Sequence, residues 1–352
     1  MSALGLVVLL AAPPAPGPLD AEKLKAIAEA VERLRSQQRV PGIGAAVAVE
    51  GELIWAQGFG LADVENGVPA TNDTRFRLAS IAKPITAVAA LQLVEQAKLD
   101  LDADLRRYLP GFPKKPWPIT TRQLLAHQGG IRHYQGDEFA SVRRHVSVLE
   151  GLDVFKDDPL VHEPGTRFLY STHGYSLAGA VVEAVAGRPF LQQLRQAVFA
   201  PAGMASARDD DAREPIPGRA RGYFVGPGGR LRNAEASDTS YKVPGGGLVA
   251  TASDVARFGG AFLQGRLVRA DTVTSMLTPQ RTRRGTAHGY GLGFRVREGR
   301  PREAHHTGGQ QGSSTVVLLC PESGVVVVLL TNLEEAPERI ETARRIAEIV
   351  ER

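Results

Sequence analysis

Ser80-Ile81-Ala82-Lys83 places a hydroxyl and an amine one helical turn apart. Positions i and i+3 share a helix face, so the Lys83 amine reaches the Ser80 oxygen. A serine hydroxyl is a weak nucleophile at neutral pH and needs such a base beside it. At the start of a helix the Ser80 backbone N–H is also among the first-turn donors without an intrahelical acceptor, and such a donor can point at a developing oxyanion. Nucleophile, base and half an oxyanion hole thus come from four residues.

The setting matters more than the motif. With 15 Ser and 8 Lys in 352 residues, a chance match turns up in about one such chain in three. Read alone, the four residues equally describe an N-capping serine followed by an unrelated surface lysine. Upstream, residues 75–79 (RFRLA) read as a short extended lead-in. Downstream, Pro84 is tolerated only in a first helical turn. Ile85, Val88, Ala89, Leu93 and Val94 then form an apolar stripe that buries the helix and leaves its N-terminal end at a cleft.

Working outward, a helix is expected from Asp20 to about Gln37, with Leu24, Ile27, Val31 and Leu34 on one stripe. Residues 43–49 and 53–59 read as a hairpin around Glu50-Gly51. Residues 315–320 and 325–330 are two further strands, and a last helix is expected from about Glu335 to Val350. Strands therefore cluster at both ends of the chain, with helical patterns and Pro/Gly loops across 80–220. The expected architecture is α/β (α+β): a mixed, mainly antiparallel sheet from both chain ends, covered by the terminal helices, plus a mostly helical insertion. In residue terms, 20–78 and 285–352 form the sheet domain and 79–284 the helical domain of one catalytic unit. Residues 205–235 read as a long surface excursion.

Composition excludes several classes. Apolar residues make up 43% and charged residues 23%, with a net charge of +4 and no long basic run, which argues against nucleic-acid binding. Cys320 is the only cysteine, so no disulfide framework exists, and its place in an apolar run reads as a packed thiol. His305 and His306 point to opposite faces of a strand, which argues against joint metal binding. No metal or cofactor is expected. Residues 3–12 are apolar and followed by Pro13-Pro14-Ala15-Pro16, which reads as a weak export signal or a tail within 1–19. The run is too short for a membrane span. Cytoplasmic residence is the alternative.

Two further segments follow in order. In residues 163–172 (EPGTRFLYST), Tyr170 lies in a loop before an apolar helix expected from Tyr175 to Val185. Residues 305–309 (HHTGG) precede the C-terminal strand pair. A Ser-x-x-Lys helix, a Tyr-containing loop and a basic-Thr-Gly strand, in that order, resemble the serine β-lactamase and penicillin-binding protein superfamily. Tyr170 makes the resemblance to its class C-like branch, which includes D-alanyl carboxypeptidases and carboxylesterases. Residues 124–134 (LLAHQGGIRHY), 168–172, 240–242 with Gly245-Gly246-Gly247, and 306–309 look like the mitochondrial serine β-lactamase-like (LACTB) family and its bacterial relatives.

The resemblance covers nearly the whole chain from about residue 20 and implies a β-lactamase/transpeptidase-like fold. It implies an acyl-enzyme on Ser80, with Lys83 and Tyr170 sharing the proton work and the N–H groups of Ser80 and Gly309 forming the oxyanion hole. Lys83 as an ammonium would depress the Tyr170 pKa from about 10. Thr172, His306, Thr307 and Gly308 are the implied substrate-binding residues. His306 stands where antibiotic-destroying members carry Lys, and Thr172 where they carry Asn. Both changes weaken an efficient β-lactamase and leave acyl transfer intact. The expectation is a peptidase or amidohydrolase acting on a small peptide, with a carboxylesterase as alternative and a non-catalytic assembly protein as a reading of another class. A homo-oligomer is compatible with these relatives. If protonated His306 holds a substrate carboxylate, KM worsens as pH rises through about 6–7.5.

Overall fold

The computed structural model describes residues 19–297, 299 and 303–352; the expected export signal within residues 1–19 lies, but for Leu19, outside them. Helix α1 (Ala21–Gln37) starts where Asp20 caps it, the Asp20 carboxylate accepting from the Lys23 N–H at 2.7 Å. Strands β1 (Gly42–Val49) and β2 (Glu52–Asp63) follow as the expected hairpin, turned by Glu50 and Gly51, both at positive φ. Short β3 (Val68–Pro69) lies at one edge. From the C-terminal part come β4 (Arg295–Arg297), β5 (Glu303–Gln310), β6 (Ser313–Cys320) and β7 (Val325–Thr331). They join as one seven-stranded sheet in the order β3-β2-β1-β7-β6-β5-β4. The sheet was expected to be mixed, yet every pairing is antiparallel. The two chain ends meet where β1 pairs with β7, Ile43 opposite Thr331.

The central strands read as unbroken apolar runs because both faces are covered. Val316 and Leu318 of β6 point to one face, with α1 and the last helix, α5 (Arg339–Glu351). Val317 and Leu319 point to the other, with α2 (Ala82–Glu95), α3 (Thr172–Ala186) and α4 (Ala252–Leu263). Helix α2 is buried nearly all round rather than along one stripe. Cys320 is buried at the end of β6, and burial pushes its thiol up to about 12, so it stays protonated.

Three boundaries differ from expectation for local reasons. Only Phe76–Arg77 of the lead-in to Ser80 is strand; Ala79 takes a left-handed φ of 48°. Helix α3 starts at Thr172, three residues early, because Ser171 caps it and accepts from the Gly174 N–H at 2.9 Å. Helix α5 starts only at Arg339, after Pro337, whose ring and missing N–H keep the chain from helix there. The 205–235 segment is not all surface: Asp210 and Asp211 are buried, Asp210 against Arg77 at 2.7 Å and Asp211 against Arg144 at 2.7 Å.

Candidate active site

Ser80 sits in a 3-10 turn (Ala79–Ile81) that runs straight into α2, so its side chain stands at the helix N-terminus. The turn is held from both sides. Leu78 donates its N–H to the Leu248 carbonyl at 2.8 Å, and the Thr315 hydroxyl donates to the Leu78 carbonyl at 3.0 Å. Gly308 of β5 packs directly on it: a Cβ there would meet Leu78 O at 2.7 Å and Ala79 Cβ at 2.9 Å. The left-handed Ala79 backbone is strained for a residue with a Cβ, and these contacts hold it.

Three expected groups converge. Lys83 Nζ lies 3.0 Å from Ser80 Oγ, 3.1 Å from Thr172 Oγ1 and 2.7 Å from the Gly245 carbonyl. Tyr170, in the loop before α3, lines the same cleft as Ser80, and its ring lies 4.9 Å from Lys83 Nζ. Gly245 makes room for this arrangement, since a Cβ there would lie 2.7 Å from Thr172 Cγ2.

The protonation pattern overturns the sequence expectation. Burial, then the nearby Lys242 charge, drives the Lys83 pKa well below its usual value. Burial also pushes Tyr170 up to about 12, although its bond to Ser80 and the Arg295 charge pull the other way. An ammonium that depresses a phenol is therefore not what the fold builds. Desolvation instead disfavours the charged form of both groups. The Lys83 amine thus bridges Ser80, Thr172 and the Gly245 carbonyl from a desolvated position.

His306 is likewise corrected. It is buried, its Nδ1–H donates to the Thr307 carbonyl at 2.8 Å, and its Nε2 accepts from the Tyr290 hydroxyl at 3.0 Å. Burial holds its pKa well below the usual value. It is not the carboxylate-binding cation proposed from the sequence. Thr172 is buried at the cleft wall, and its hydroxyl accepts from the Lys83 amine at 3.1 Å. Thr307, Gly308 and Gly309 do line the cleft. Strand β5 pairs with β4 over 303–305, and among the described residues the stretch carrying Thr307 to Gly309 has no strand partner on that side.

The cleft holds about 460 Å³ and is also lined by His133, Tyr134, Phe139, Arg295 and Arg339, with no Asp or Glu among its described lining residues. Arg295 stacks over Tyr170 and Tyr290. Arg339 reaches the Thr315 carbonyl at 2.9 Å and the Gly308 carbonyl at 3.2 Å. Sequence reasoning missed both arginines. Neither sits in a motif, and no spacing rule links the end of β4 and the start of α5 to Ser80. His127 was missed too: its ring packs tilted against Tyr170 with centroids 4.2 Å apart, and its Nδ1 accepts from the Ser171 N–H at 3.1 Å.

The family described as Beta-lactamase matches residues 27–351. The human mitochondrial serine beta-lactamase-like protein LACTB (Homo sapiens) is 29% identical, over 89% of this chain and 77% of its own length. Among solved structures, D-amino acid amidase from Ochrobactrum anthropi SV3, complexed with L-phenylalanine amide, superposes with a TM-score of 0.81. It is 25% identical, covering 94% of this chain and 99% of that one. The octameric penicillin-binding protein homologue from Pyrococcus abyssi shares the fold, with a TM-score of 0.80 at 23% identity over 93% of this chain and 77% of that one.

Proposed function

The chain belongs to the beta-lactamase family, and from that premise we propose a serine hydrolase that works through an acyl-enzyme on Ser80 and favours amide substrates bearing a carboxylate. The observation that carries this reading is Lys83 Nζ at 3.0 Å from Ser80 Oγ, buried with no carboxylate partner among the described residues. The free amine takes the Ser80 proton as the oxygen attacks the substrate carbonyl. The N–H groups of Ser80 and Gly309 receive the oxyanion. Tyr170, neutral up to about pH 12, passes its proton to the departing nitrogen and recovers one from the Lys83 ammonium. Water then attacks the ester by the same route in reverse.

The substrate class follows from the wall chemistry. Arg295 and Arg339 place guanidinium groups in a cleft whose described lining residues include no Asp or Glu, and guanidinium groups bind carboxylates in a fixed fork geometry. Residues 20–78 with 285–352, and 79–284, act as two parts of one catalytic unit. Among the described residues no helix is long and apolar enough to cross a membrane. We place the chain outside the cytoplasm on its apolar N-terminal run, and as a homo-oligomer, which sedimentation tests directly.

A carboxylesterase is the second reading, favoured by the Thr172 hydroxyl being engaged by Lys83. Comparing kcat/KM for a D-alanyl peptide, its C-terminally amidated form, a p-nitrophenyl ester and nitrocefin separates these. The free peptide should exceed the capped one by at least about tenfold, and Arg295→Ala should erase that preference. Equal rates for free and capped peptide, or nitrocefin far ahead, would contradict it. An assembly protein with an idle pocket would label with a fluorophosphonate no better than Ser80→Ala.

A further inference from the structure

We propose that Lys242 is a positioning residue whose buried amine keeps Lys83 in the free-base form that accepts the Ser80 proton, an inference that rests on the serine-hydrolase reading. Lys242 is 1% exposed, and its Nζ has no hydrogen-bond partner among the described residues. It points into a box of ring faces, 4.6 Å from Phe139, 5.2 Å from Tyr134 and 5.3 Å from Tyr241. Phe139 and Tyr134 are themselves walls of the Ser80 cleft. Lys242 ends the turn Ser240–Lys242 and runs directly into the short helix Val243–Gly246, whose Gly245 carbonyl holds Lys83. One short stretch of backbone therefore fixes both amines.

Aromatic faces favour an ammonium, so Lys242 has a means of keeping charge where water is absent. Burial and the Arg77 charge lower it only to about 7, with Asp210 opposing them. A cation in a desolvated site then disfavours a second proton nearby, and the same device activates lysines placed beside another cation. Lys242 is the charge that, after burial, lowers Lys83.

The other groups facing the two amines do not replace it. His127, His133 and His306 pack around Lys83, and burial holds each below its usual pKa, hence neutral. Tyr170 and Tyr175 are neutral phenols, and Arg295 is a constant charge on the cleft side. On the Lys242 side, His173 is held down to about 4, and Asp210 is already ion-paired with Arg77 and Arg219. A lysine present only for packing would leave no trace in the pH dependence, since methionine fills such a box as well.

The test is the pH profile of kcat/KM for a neutral p-nitrophenyl ester in wild type, Lys242→Met, Lys242→Gln, Lys242→Arg and Ser80→Ala. Removing the charge should move the acid limb up by about one pH unit, a tenfold loss on the limb. The high-pH plateau should stay within about twofold, and Lys242→Arg should keep the wild-type limb or lower it. Either neutral variant suffices if the other does not fold. Superposed limbs in wild type and the neutral variants, or an Arg variant that shifts with them, overturn the role of Lys242 and leave the hydrolase reading standing. A wild-type rate no higher than that of Ser80→Ala overturns both.

Discussion

On the sheet face covered by α1 and α5, buried charge is paired. Arg344 of α5 binds Glu303 of β5 at 2.8 Å, and His305 sits 2.9 Å from the same carboxylate. Burial opposes ionisation of Glu303, yet the Arg344 bond brings it down to about 2. On the opposite face, towards Ser80, Lys83 and Lys242 are buried with no ion pair among the described residues, and Ala79 and His127 hold left-handed backbone. The first face follows the ordinary rules of polar satisfaction and period-two packing. The second breaks them within one small volume, which is where reactivity is concentrated.

Lys83→Met breaks this comparison most sharply. The loss of the base should lower kcat by about 10³-fold or more. Because a desolvated amine is a burden on the fold, Tm should not fall. Activity measured beside a thermal melt checks both, and a lost Tm with retained turnover would reverse the contrast.

Leu318→Ala and Gly308→Ala sharpen the contrast from each side of the sheet. Leu318, under α1 and α5, should cost about 2–5 kcal/mol in denaturant unfolding with kcat/KM of the folded fraction unchanged. Gly308→Ala should cost about 1–3 kcal/mol from overpacking against Leu78 and Ala79, and should lower kcat because the Ser80 turn moves. A Leu318 variant that loses catalysis, or a Gly308 variant that keeps it, would break the division between the faces.

What the sequence made legible tracks the same division. Helix α1, the β1–β2 hairpin and strands β6 and β7 are set by periodic apolar burial, and they fall where periodicity puts them. Ser80, Lys83 and Tyr170 could be singled out because Ser-x-x-Lys spacing and motif order survive in one dimension. Arg295 and Arg339 could not, because pairing of β5 with β4 and a proline-delayed helix bring them to the cleft. Protonation was misjudged for the same reason: the burial of Lys83, Tyr170 and His306 is a property of the assembled core. Lys242 carried a signal, its place before the Gly245-Gly246-Gly247 run, but nothing in the sequence marks its amine as unpartnered.

The smallest expected effect concerns His306. Held neutral well below pH 6.5, it should give a ratio of KM for carboxylate-bearing over neutral substrates that stays within about twofold from pH 6 to 7.5. A ratio that climbs through that window would restore a charged His306.

The most direct test of the whole account is the intact mass of the protein quenched during turnover of a p-nitrophenyl ester, with the adduct mapped by peptide sequencing. The account predicts one acyl group on Ser80, absent from Ser80→Ala and strongly reduced in Lys83→Met. An adduct on another residue, or full acylation of Ser80 in Lys83→Met, would contradict it.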